Sequence, residues 1–211
     1  LNTGSKNKIY TITSSLPSEG KSLINILLAK TIADSGNKVL LIDADLRKPK
    51  IHSRLSINNL KGFSNLLTDM KLNLNDVLKP VPGYSNWSVV PAGIIPPDPT
   101  RLLGSDRAKF IFKDLQNSEQ FDYVLIDTPP ILGLADTALV ASNIDGLILL
   151  ITIDKVDKDM PKEAIQRLQT SGSNFLGIIT NSIKKSNTGF SPYGGYGGYG
   201  YNNYGYNTYQ T

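Results

Sequence analysis

Between an alternating, β-rich run at Lys8–Ser14 (KIYTITS) and a helix-periodic stretch at residues 22–34 stands the octet Ser15-Leu16-Pro17-Ser18-Glu19-Gly20-Lys21-Ser22. A strand that passes through a short loop ending in Gly-Lys-Ser and straight into a helix is the phosphate-binding loop pattern, and it constrains the fold more than any other feature of the chain. Backbone N–H groups of such a loop and of the helix N-terminus cradle phosphate oxygens. Lys21 would neutralise charge on the β and γ phosphates of a bound nucleotide, and the Ser22 hydroxyl would ligate magnesium. The candidate nucleotide-binding residues are therefore Pro17, Ser18, Glu19, Gly20, Lys21, Ser22 and Leu23. Ser15 stands where the pattern has its first glycine, which is a departure from it.

The rest of the body alternates strand-like and helix-like segments. Residues 38–43, 87–90, 121–127, 146–153 and 175–183 read as strands, and residues 62–68, 74–78, 105–117, 136–142 and 161–170 as helices, the last with Pro161 in its opening turn. A Pro-rich loop is expected over residues 92–99. This order predicts an α/β fold of three layers, a mostly parallel sheet with helices on both faces. Ligands on such sheets bind at the C-terminal ends of the strands. The apolar run at residues 147–153 is too short to span a bilayer, and no signal peptide is visible. The chain opens on Leu1 rather than Met, so it reads as a piece of a longer protein.

Two strand ends carry acids. Leu40-Leu41-Ile42-Asp43-Ala44-Asp45-Leu46-Arg47 places two carboxylates just past a buried run, and Val124-Leu125-Ile126-Asp127 repeats the device before Thr128-Pro129-Pro130. Beside a phosphate-binding loop, Asp43, Asp45 and Asp127 would hold magnesium with Ser22, directly or through water. One of them can also take the proton from an attacking hydroxyl. Asp43 and Asp45 are expected to point in different directions, one serving the metal or the base and the other ordering the loop. Composition closes other routes: with no cysteine and one histidine, His52, there is no thiolate zinc site, disulfide framework or multi-histidine metal centre. His52 is expected to be a solvated loop residue, and Lys48, Lys50 and Arg54 a basic patch that either meets a phosphotyrosine or a partner or is a plain solvated face.

Near residue 186 the composition changes. Residues 190–211 hold seven of the chain's ten tyrosines, six glycines and no charged residue. Such a segment has too few aliphatic side chains to bury a core and is expected to be disordered in isolation. The expected organisation is a domain over residues 1–185 and a flexible Tyr/Gly-rich tail over residues 186–211.

Residues 14–22 (SSLPSEGKS), 40–49 (LLIDADLRKP) and 121–130 (FDYVLIDTPP) resemble the Walker A, Walker A′ and Walker B motifs of the bacterial tyrosine kinases, P-loop autokinases of polysaccharide export. Residues 62–68, 96–103 and the tyrosine cluster share the resemblance. It implies an ATP- and Mg2+-dependent protein-tyrosine autokinase in which Lys21, Asp43 and Asp45 are catalytic, Asp43 being the base or metal-organising acid, and Asp127 holds magnesium through water. Arg47 and Lys48 fall in the family's basic stretch, and Asn181 resembles the superfamily's base-contacting asparagine. The phosphoacceptors would be Tyr193, Tyr196, Tyr199, Tyr201, Tyr204, Tyr206 and Tyr209. The implied partners are further copies of the chain, in a ring with transfer in trans, a membrane activator upstream or in a separate chain, and an opposing tyrosine phosphatase. Arg101 would lie at a subunit contact. The implied location is the cytoplasmic face of the bacterial inner membrane. A Glu-x-x-Arg-x-x-Arg helix that helps build the ring normally precedes the first strand, and this chain begins after it.

The nearest rival is a partition or septum-site ATPase switch of the same superfamily. Those proteins carry an early loop lysine that reaches across a dimer; here the position is Leu16, which cannot neutralise a partner's phosphate. A nucleic-acid partner is not expected, because the Gly/Tyr tail has no arginine to contact phosphate.

Overall fold

The computed structural model describes residues 8–153 and 155–182. Seven strands form one sheet: β1 (Lys8–Ser14), β2 (Val39–Asp43), β3 (Lys79–Pro80), β4 (Trp87–Val90), β5 (Tyr123–Asp127), β6 (Gly146–Ile153) and β7 (Phe175–Ser182), in the spatial order β3-β4-β2-β5-β1-β6-β7. Every pairing is parallel except that of β3 with β4. Pro80 is tolerated in β3 because that strand is at the edge, where a missing N–H breaks no ladder. The chain leaves β1 toward β2 on one side and later fills β6 and β7 on the other, so β1 sits where the winding reverses. Crevices at such switch points receive ligands.

The strand residues divide by alternation between two apolar layers. Leu40, Ile42, Val124 and Ile126 pack with Phe63, Phe112 and Leu103, beneath α3 (Phe63–Thr68), α4 (Pro99–Leu103) and α5 (Asp106–Asn117). Val39, Leu41 and Leu125 face the other way, onto Ile26, Ala29 and Ala33 of α1 (Lys21–Asp34). Leu147 and Leu149 pack against Ala164 and Leu168 of α7 (Asp159–Thr170). Burial on both faces explains why β2 and β5 read as near-continuous apolar runs.

The expected three layers are present, and the differences are local. α7 begins two residues earlier than expected, which moves Pro161 inward, and β5 begins at Tyr123 because the amides of Asp122 and Tyr123 are held by Lys38. Residues 74–76 make only a single 3-10 turn. The Pro-rich loop ends in α4, capped by the Asp98 carboxylate, which accepts from the Arg101 N–H at 3.0 Å, with Pro99 at the first position. Helix α2 (Ile51–Arg54) was not expected and places His52 half-buried in a helix rather than solvated in a loop. α6 (Asp136–Ala141) follows the loop after β5. Gly62, before α3, is required by packing: a Cβ there would lie 2.1 Å from the Pro91 carbonyl oxygen. The domain division expected at residue 185, the tail's expected disorder and the seven tail tyrosines from Tyr193 to Tyr209 lie outside the described residues.

Candidate active site

The loop after β1 is held in shape by its own polar groups. Glu19 is fully buried, and its carboxylate accepts the Leu16 N–H at 2.7 Å and the Thr152 N–H, at the end of β6, at 2.9 Å. The Thr152 hydroxyl donates back to the Glu19 carbonyl at 2.8 Å. Lys155 donates to the Ser18 carbonyl. Ser18 (φ 64°) and Gly20 (φ 99°) both adopt left-handed backbone, which turns the chain into α1. Gly20 provides no side-chain cap, so the first N–H groups of α1 are left for a ligand. Ser15 does not have positive φ, so replacing the pattern's first glycine costs no backbone strain here. The Glu19 side chain is committed to backbone N–H groups, so of the expected nucleotide-binding set Glu19 can contribute only its own backbone.

Asp43 and Asp127 end adjacent parallel strands and are in register with one another. Lys21 reaches over them: its Nζ lies 2.9 Å from Asp45 Oδ2 and 3.9 Å from Asp127 Oδ1. Asn25, one helical turn beyond Lys21, donates to Asp127 Oδ1 at 3.0 Å and to the Ile12 carbonyl at 3.3 Å. Asp43 is fully buried; it accepts the N–H groups of Asp45, Lys50 and Ile51 at 3.3, 3.2 and 3.1 Å. Asp45 accepts the Lys48 N–H at 3.0 Å besides its bond from Lys21. The expected cause of a difference between the two acids fails, since residues two apart on a strand share a face; both accept loop N–H groups, and only Asp45 is also bonded to Lys21. The difference arises because β2 ends at Asp43 and Asp45 lies in the loop beyond it.

Electrostatics follow from this crowding. Burial, then the neighbouring charge of Asp127, pushes the Asp43 carboxyl well above the ordinary carboxylate range. Burial also raises Asp127, although Lys21, Ser22 and Asn25 pull it down. Burial works against the charged form of Lys21, yet the charges of Asp127 and Asp45 outweigh it and hold its pKa above normal. Three carboxylates thus share one ammonium in a dry setting. Asp127 Oδ2 is buried without a hydrogen-bond partner. Among the described residues no three acidic or histidine side chains converge as a ready-made metal cage. An excess of buried negative charge, one orphaned carboxylate oxygen and a nearby serine hydroxyl suit magnesium, which keeps most of its waters and takes one or two protein ligands beside phosphate oxygens.

A cavity of about 390 Å³ opens in front of these groups, lined by Pro17, Ser18, Gly20, Lys21, Ser22 and Leu23, by Asp45, by the basic residues Arg47, Lys48, Lys50 and Arg54, and by Pro129, Pro130 and Leu134. Asn181, on β7, borders it: a Cβ at Gly20 would lie 3.5 Å from Asn181 Nδ2. Arg47 grips the fully buried Asp136 with two bonds, Nε to Oδ2 at 2.7 Å and Nη2 to Oδ1 at 3.2 Å, and donates to Thr100 Oγ1 at 2.8 Å. Thr100 donates to Asp136 at 2.6 Å. This network joins the loop after β2 to the first turns of α4 and α6. Sequence reasoning singled out Arg47 but missed Asp136, Thr100, Asn25 and Thr152. Only Asn25 carried a signal, as a polar residue on the inner face of α1 four positions after Lys21.

The AAA domain family matches residues 8–170. The tyrosine-protein kinase CpsD of Streptococcus agalactiae is 37% identical over 195 residues, 92% of this chain and 83% of that protein. The tyrosine-protein kinase YwqD of Bacillus subtilis is 37% identical over 190 residues, 90% of this chain and 78% of that protein. Among solved structures, the kinase domain of the Escherichia coli tyrosine kinase ETK superposes with a TM-score of 0.80 at 33% identity, covering 95% of this chain and 74% of that one.

Proposed function

The chain belongs to the bacterial tyrosine kinases, and from that premise we propose that its site moves the γ-phosphate of MgATP onto tyrosines of its own residues 193–209. The observation that carries the reading is the Lys21 ammonium held between Asp45 and Asp127, in front of an uncapped helix N-terminus.

Loop N–H groups and Lys21 bind the β and γ phosphates, and Asn181 contacts the base. Ser22 and Asp127 would hold magnesium, with Asp43 and Asp45 beside them. Magnesium held there would supply positive charge against the negative charge that develops on the phosphate oxygens. As phosphate draws Lys21 away, the Lys21–Asp45 pair opens. Asp43, whose proton affinity burial has raised, then accepts the phenolic proton. Asp45 keeps the loop beside it. The oxygen that loses its proton attacks the γ-phosphorus in line, and the bond to the β-phosphate oxygen breaks.

The acceptor comes from a neighbouring copy of the chain, in a ring. Each phosphate adds about −1.5 to −2 charges to a neutral tail. Heavy phosphorylation then loosens the ring, and a tyrosine phosphatase resets it. The setting is the cytoplasmic face of the bacterial inner membrane, under a membrane activator, in control of polysaccharide synthesis and export. Among the described residues no helix is long and apolar enough to cross a membrane.

The test is incubation with γ-labelled MgATP of wild type, Lys21→Met and Asp43→Asn. Label on tyrosine in wild type alone is expected. Label retained on tyrosine in both variants would refute the site assignment, and ATP hydrolysis without phosphotyrosine would favour the partition-type ATPase.

A further inference from the structure

The cavity has more positive charge than nucleotide chemistry uses. Lys48, Lys50 and Arg54 are exposed and share its wall with Lys21 and Asp45. All three follow β2 within a short stretch, and α2 carries the last of them. Arg47 is committed to Asp136, but no carboxylate of the described residues pairs with Lys48, Lys50 or Arg54. The loop that holds them is fixed from beneath, because the Lys50 and Ile51 N–H groups are bonded to buried Asp43 and the Lys48 N–H to Asp45. Three cations on one cavity wall, none paired with a carboxylate of the described residues, form an anion site.

The same cavity has an apolar wall made by Pro129, Pro130 and Leu134. An apolar wall beside exposed cations has the two chemistries that a phosphorylated aromatic side chain presents. The unmodified tail has no charged residue over positions 190–211 and so offers these cations no ionic partner. A phosphorylated tail does, since each phosphotyrosine supplies about −1.5 to −2 charges and three strong acceptor oxygens.

We propose that Lys48, Lys50 and Arg54 form a phosphotyrosine subsite at the rim of the active site, which retains a tail that has already been phosphorylated once and presents its next tyrosine for transfer. The subsite rests on the kinase reading above and adds an order to it: the first phosphate primes the rest. Tail tyrosines recur every two or three residues from Tyr193 to Tyr209, which lets one ring occupy the rim while its neighbour turns toward Lys21. The three cations balance about two phosphotyrosines at most. Further phosphates go unmatched beside the carboxylates of Asp43, Asp45 and Asp127, and retention ends there.

Fluorescence anisotropy with synthetic peptides of residues 190–206 tests this, one unmodified and one phosphorylated at Tyr193, against the full chain saturated with MgADP so that no transfer occurs. The readout is binding, and it does not depend on catalysis. The phosphopeptide is expected to bind about tenfold tighter at low salt, with the advantage shrinking as salt is raised. In the Lys48→Gln/Lys50→Gln/Arg54→Gln variant, checked for folding by its melting temperature, the advantage is expected to vanish. Equal binding of the two peptides by wild type overturns the proposal, as does an advantage that survives in the folded variant. A parallel loss of MgADP affinity in the variant also overturns it, because the cations would then serve the nucleotide. Displacement of the phosphopeptide by inorganic phosphate at equal concentration would show a bare anion site and reject the ring contact. Failure of the kinase reading is seen separately, as unlabelled tyrosine in the MgATP assay.

Discussion

Replacing Glu19 should loosen the phosphate-binding loop without touching a phosphate. Its carboxylate accepts the Leu16 and Thr152 N–H groups at 2.7 and 2.9 Å in a fully buried setting. Hydrogen bonds to charged groups contribute about 1.5–3 kcal/mol each, so Glu19→Ala removes about 3–6 kcal/mol of gross interaction and orphans two buried donors. Relief of the carboxylate's own desolvation offsets part of this, and the lower figure, about 3 kcal/mol, is the expected loss. For a domain of this size that is a fall of about 6–12 °C in Tm. Glu19→Gln is a sharper probe, because it preserves shape but offers one acceptor oxygen where two donors converge. Its NH2 must face a backbone N–H, for a loss of about 2 kcal/mol. Both variants should also raise the KM for ATP, since the loop N–H groups lose their fixed orientation. Urea unfolding and ATP kinetics on the two variants check this. If both stay within about 0.5 kcal/mol of wild type, as an ordinary surface substitution would, the strut has no role and the reasoning fails.

Other predictions concern the neighbouring network, one glycine and pH. Arg47→Ala leaves the buried Asp136 with only Thr100, and should cost about 2–3 kcal/mol in urea unfolding; adding Asp136→Ala should recover part of that loss. Gly62→Ala forces a Cβ to within 2.1 Å of the Pro91 carbonyl oxygen and should cost about 3 kcal/mol, with a normal φ and so no backbone term. Asp43 and Asp127 hold protons more tightly folded than unfolded. The stability they add is therefore complete below the unfolded value of about 3.9 and lost as pH rises through their raised folded values. Nucleotide-free wild type should accordingly gain stability relative to Asp127→Asn as pH falls from neutrality toward that value, and a pH-independent difference would contradict the burial argument.

What could be read in the chain was what is local. Gly20-Lys21-Ser22 between a strand and a helix, and acids at the ends of two apolar runs, are patterns of adjacent residues, and the fold places them together because parallel strands end on one side. What could not be read depends on residues far apart in sequence. Thr152 meets Glu19 across β6, and Asp136 meets Arg47 across the loop after β5; nothing local in either partner points to the other. The short elements α2 and β3 escaped notice for a related reason. Four residues whose first N–H is anchored on Asp43, and two paired only to β4, have no periodicity to detect. Asp43 and Asp45 show the limit from the other side. Alternation does not turn residues two apart on a strand in different directions, and their different contacts arise because the strand stops at Asp43.

The central claim is that this P-loop site phosphorylates tyrosine in the chain's own tail. Mass spectrometry of the wild-type chain after incubation with MgATP tests it most directly. Phosphate should appear on tyrosines among Tyr193, Tyr196, Tyr199, Tyr201, Tyr204, Tyr206 and Tyr209, and on none of them in Lys21→Met. An unmodified tail in a sample that has released inorganic phosphate from ATP would contradict the claim.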